Sequence, residues 1–69
     1  MNKIIGYRKM LGFTQTDLAK KFGISLQAYR LKENGTTAFK DSEKIIFKKM
    51  LLTIFPDITI DDIFLTSMY

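Results

Sequence analysis

Apolar positions recur three and four residues apart in five short runs, and a stop signal separates each run from the next. In the first run, residues 3–11, Ile4, Tyr7 and Leu11 share one helical face with Arg8, and Gly12 is the expected C-terminal cap. The second run opens at Thr14. Thr14 has a side-chain oxygen for the cap, Asp17 stands three residues on to complete a variant capping box, and Phe13 is placed to clasp Leu18 as a hydrophobic staple. Leu18, Ala19 and Phe22 form its inward face, and Gly23 ends it. Ser25 is the cap of the third run, Ile24 and Tyr29 repeat the staple, and the helix reaches about Glu33 before Asn34-Gly35 stops it. A polar loop over 35–40 follows. The fourth run begins near Asp41 or Ser42 and extends to about Phe55, where Pro56 forbids continuation. The fifth has Thr59 as cap, Asp62 in the box position and Ile58 against Ile63, and ends near Leu65. No stretch reads as a strand. The prediction is an all-α fold, a compact bundle of five short helices forming one domain over residues 1–69, with closing helices at about 41–65.

The second boundary, in AKKFGISLQAYR, raises the functional question. A helix stopped by one glycine and restarted two residues later turns through a steep angle onto its successor. Ala19 is small where the two helices approach, and Leu18, Ile24 and Tyr29 fill the angle. Such a turn pushes the start of the third helix outward, and the major groove of DNA is wide enough to admit it. The plainer alternative is an antiparallel helical hairpin inside a small bundle.

Charge bears on that choice. The net charge is +4 and the pI about 9.5. Residues 1–40 carry eight Lys or Arg against two acidic residues, whereas residues 41–69 carry three Lys against five. A basic N-terminal half points to a polyanion-binding face, and its bland counterpart is a lysine-rich solvated surface. The chain has no Cys and no His, which removes disulfides, thiolate metal sites and the commonest general base. No metal or other cofactor is expected. No signal peptide or membrane span is expected, and the absence of Cys suits a cytoplasmic setting. Catalytic carboxylates would have to come from Asp57, Asp61 or Asp62. Asp61 and Asp62 are adjacent, about 100° apart on a helix, and do not converge. No enzymatic activity is expected.

The run TQTDLAKKFGIS, followed by KENG and closed by DITIDDIF, resembles the helix-turn-helix domain of phage repressors of the lambda-repressor and Cro type. The resemblance covers about residues 3–65, with the helix-turn-helix at about 14–34. It implies a transcriptional regulator, acting on the bacterial nucleoid, that lays its third helix in the major groove of a double-stranded operator and binds as a homodimer. Leu26, Gln27, Arg30 and Leu31 match the base-reading positions. Gln15 and Asn34 match phosphate contacts, and the basic residues Lys20, Lys21, Lys32 and Lys40 are further phosphate candidates. Arg8 and Glu33 match a structural ion pair between the first and third helices. Two departures stand out. Lys32 occupies a place where a bulky apolar residue is common, so its stem is expected to cover the core while its ammonium reaches solvent or phosphate. Leu26 and Leu31 occupy places where polar readers are common. An apolar reading face equally suits a small antirepressor that grips a partner repressor protein. The fourth run is apolar around most of its circumference. It is either the central core helix or, with the tail residues Phe64, Leu65, Met68 and Tyr69, part of a protomer interface.

Overall fold

The computed structural model describes residues 3–64. It contains α1 (Lys3–Met10), α2 (Gln15–Phe22), α3 (Leu26–Glu33), α4 (Asp41–Leu51) and α5 (Ile60–Phe64), and no strand among the described residues. Helix α2 packs on α3 and α4, and α5 bridges α1 and α4. The core is Ile4, Leu18, Ala19, Tyr29, Phe47, Leu51, Ile58 and Ile63, so every helix contributes at least one buried side chain.

Local signals decide where the helices begin. Thr14 Oγ1 accepts from the Asp17 N–H at 3.1 Å while Asp17 Oδ2 accepts from the Thr14 N–H at 2.8 Å, a reciprocal capping box. Thr59 and Asp62 repeat it at α5, at 3.1 and 3.0 Å. Ser25 Oγ accepts from the Ala28 N–H at 3.0 Å and fixes the first turn of α3. Helix α2 ends at Gly23 (φ 68°, ψ 34°) in a Schellman motif. Gly23 N–H donates to the Lys20 carbonyl at 3.1 Å and Ile24 N–H to the Ala19 carbonyl at 3.0 Å. The left-handed conformation there is one that other L-residues adopt only at a cost. Helices α1 and α3 end in the same pattern of bonds, around Gly12 and Gly35.

Three features differ from the sequence pattern. Helix α4 ends at Leu51, four residues short of Phe55. Pro56 biases its predecessor away from helical dihedrals, and the chain tightens before it: the Ile54 and Phe55 N–H groups both donate to the Leu51 carbonyl. The 35–40 loop is not wholly polar. Phe39 is half-buried, with ring centroids 6.0 Å from Phe22, 6.4 Å from Tyr29 and 5.2 Å from Phe64, and closes an aromatic cluster that tethers the loop. Helix α4 and the turn after it are not buried all round. Phe47 and Leu51 are fully buried, while Ile45, Leu52 and Ile54 are 46%, 36% and 43% exposed. Of the tail residues, Leu65, Met68 and Tyr69 lie outside the described residues.

Candidate nucleic-acid interface

Helix α3 has two unlike faces. Tyr29 and Glu33, one turn apart, are buried against the body of the protein. Gln27 and Arg30 are exposed. Three residues apart, these two lie about 60° from each other around the helix, on one outward strip. Leu26 and Leu31 are half-buried at the edges of that strip. Helix α3 is therefore anchored from one side and offers polar, hydrogen-bonding side chains on the other.

The anchor is a buried carboxylate. Glu33, 4% exposed, accepts from Arg8 Nε at 2.8 Å, Tyr29 Oη at 2.5 Å and Gln15 Nε2 at 2.8 Å. Arg8 also donates to the Phe13 carbonyl at 3.0 Å, tying α1, the α1–α2 turn and α3 together. Burial pushes the Glu33 carboxyl up, but hydrogen bonds from Arg8, Tyr29 and Gln15 and the charge of Arg8 outweigh it and hold the carboxyl below its ordinary range. Burial and the hydrogen bond to that anion raise the Tyr29 hydroxyl far above its usual value, so it stays a neutral donor. The buried side-chain polar atoms among the described residues all have partners.

The remaining site residues fall in separate places. Gln15 sits in the first turn of α2 and joins the Glu33 network to Arg30, whose Nε donates to Gln15 Oε1 at 3.2 Å. Asn34 closes the turn after α3, its Oδ1 accepting from the Thr36 N–H at 2.9 Å and from Thr36 Oγ1 at 2.6 Å. Lys20 and Lys21, in the last turn of α2, are exposed and line a shallow depression with Gly12, Phe13 and Asp17; Lys21 Nζ stands 5.2 Å from the centre of the Phe13 ring. Lys40 is exposed before α4.

Lys32 departs from its expected setting. Its stem is covered, but its ammonium turns inward to Glu43 Oε1 at 2.5 Å, with the two side chains 10% and 4% exposed. The same oxygen accepts from the Lys40 N–H at 2.8 Å, so Glu43 starts α4 and ties it to α3. Burial pushes the Glu43 carboxyl up, and the hydrogen bonds from Lys32 and the Lys40 backbone pull it below its ordinary range. The sequence carried no clear signal for this pair. An acid at the third position of a helix reads as a cap, and nothing in the spacing links it to a lysine eleven residues earlier. The Tyr29–Glu33 bond was legible as an i, i+4 spacing, but the aromatic ring masked the hydroxyl.

A family model described as helix-turn-helix matches residues 4–43, which run from α1 into the first turn of α4. No curated protein and no solved structure matches the chain.

Proposed function

The chain belongs to the helix-turn-helix family of the lambda-repressor and Cro type, a DNA-binding regulatory family, and from that premise we propose that it is a sequence-specific transcriptional regulator reading the major groove with α3. The observation that carries this reading is the two-faced α3: Gln27 and Arg30 exposed, Tyr29 and Glu33 locked into the core. In this reading Gln27 and Arg30 address base edges, while Leu26 and Leu31 pack on thymine methyls at the margin. Gln15, Asn34, Lys20, Lys21 and Lys40 provide phosphate contacts, which set register and affinity rather than sequence. Lys32, its ammonium covered and neutralised by Glu43, serves to hold α4 against α3 rather than to meet a phosphate. The protein acts without a catalytic step, as a repressor or Cro-like switch of phage or prophage origin on the host nucleoid. It binds as a homodimer on half-sites about 34 Å apart. Among the described residues no helix is long and apolar enough to cross a membrane.

The second reading is an antirepressor that grips a partner repressor through an apolar α3 face, and it rests on Leu26 and Leu31. Both are half-buried whereas the exposed pair is polar, which favours base readout. Selection of random-sequence duplexes by the purified protein separates the two. Enrichment of a two-fold symmetric, A/T-containing motif is the expected result. No enrichment, together with capture of a repressor from host lysate, would establish the second reading instead.

A further inference from the structure

Gln15 stands between a buried charge and an exposed one. Its Nε2 donates to Glu33 Oε1 at 2.8 Å and its Oε1 accepts from Arg30 Nε at 3.2 Å. The direction of this chain is imposed from inside the protein. An ionised carboxylate only accepts, so the Gln15 amide turns its NH2 group toward Glu33 and its carbonyl oxygen toward the surface. A guanidinium only donates, so that outward oxygen is a matched partner for Arg30. Glu33 is itself fixed by Arg8 and Tyr29, so the orientation of an exposed side chain on α3 is set by the core through a single amide.

The way Arg30 is held bears on what it contacts. Its Nε is taken, and its Nη1 and Nη2 make no hydrogen bond or ion pair to any described residue. The end of the guanidinium is thus left as a planar pair of donors. That pair matches the O6 and N7 acceptors that guanine presents in the major groove. A phosphate contact has no need of such fixing, since an unrestrained cation serves it as well.

We infer that Gln15 is a positioning residue for Arg30, and that Arg30, held through Nε, reads a guanine in the half-site rather than a phosphate. The inference rests on α3 being the reading helix, as proposed above. The second proton of the Gln15 amide stays available for a phosphate, so the test must separate base preference from overall affinity.

The test is duplex selection by the wild-type protein, followed by titration of the selected site with each base in turn at every position. The wild type is expected to demand guanine at one position. Arg30→Lys keeps the charge and loses the fork, and is expected to reduce that preference by about tenfold or more. Gln15→Leu is expected to reduce the same preference by about threefold to tenfold, leave the other positions unchanged, and add nothing further in the Arg30→Lys background. A guanine preference that persists in Gln15→Leu, or in Arg30→Lys, would overturn the positioning role while leaving the DNA reading intact. A wild type that selects no motif would overturn both. If Gln15→Leu fails to fold, hydrogen exchange of the Arg30 Nε–H in the free wild-type protein decides. Slowed exchange relative to the unfolded chain is expected, and free exchange would overturn the tether.

Discussion

Glu33 carries its charge inside the fold and is matched there by hydrogen bonds from Arg8 of α1, Gln15 of α2 and Tyr29 of its own helix. The energetic consequence lies less in what the pair with Arg8 adds than in what remains when one partner goes. Glu33→Ala strands the Arg8 guanidinium and leaves the Tyr29 hydroxyl without its acceptor. The expected loss is about 3 kcal/mol, and the double replacement with Arg8→Ala should cost less than the two singles together. Denaturant melts of the four-member cycle check this, and strict additivity would refute the coupling. The pH dependence follows from the lowered carboxyl of Glu33. An acid whose folded pKa is depressed contributes stability that is full above its unfolded value, about 4.3, and is lost as pH falls through the folded value. Glu33→Gln should therefore flatten the acid limb of the stability curve below about pH 4.3, with melts at pH 3 and pH 6 as the measurement.

Between elements, the second buried pair, Lys32 with Glu43, joins α3 to the start of α4. Lys32→Leu restores an apolar residue but leaves Glu43 covered without its cation. It should destabilise, and Lys32→Leu combined with Glu43→Gln should recover part of the loss. A Lys32→Leu protein as stable as the wild type would show that the pair is dispensable. The junctions between helices were the most legible part of the chain, because a capping box or a glycine stop is written in three or four consecutive residues. Thr14 with Asp17, Gly23, Ser25 and Thr59 with Asp62 all stand where the pattern placed them. Contacts between distant residues were not legible in the same way. Phe39 stands in the loop where the pattern placed it, but the packing of its ring was not legible because its aromatic partners Phe22, Tyr29 and Phe64 lie in three different helices. The extent of α4 was overestimated because apolar residues continue through the turn that Pro56 imposes. Arg30 was legible as an outward residue from the family resemblance, but its link to Gln15 depends on how α2 and α3 cross.

For the molecule as a whole, Ile45 and Leu52 are seven residues apart, on one side of α4 and its following turn, and are exposed together with nearby Ile54. A chain of 69 residues has little spare core, and covering this side in a second copy would supply more. Ile45→Lys with Leu52→Lys should shift the protein toward monomer in sedimentation at micromolar concentration. A wild type that stays monomeric on and off DNA would remove that side as an interface. The central claim, that α3 reads bases, is tested most directly by titrating Gln27→Ala and Lys20→Ala on the selected site and on scrambled duplex across a salt series. Gln27→Ala should cost about 1 to 3 kcal/mol on the selected site and almost nothing on scrambled DNA. Lys20→Ala should weaken both duplexes alike and flatten the salt slope by about one. If Gln27→Ala weakens both duplexes equally, or changes neither, α3 is not the reading element.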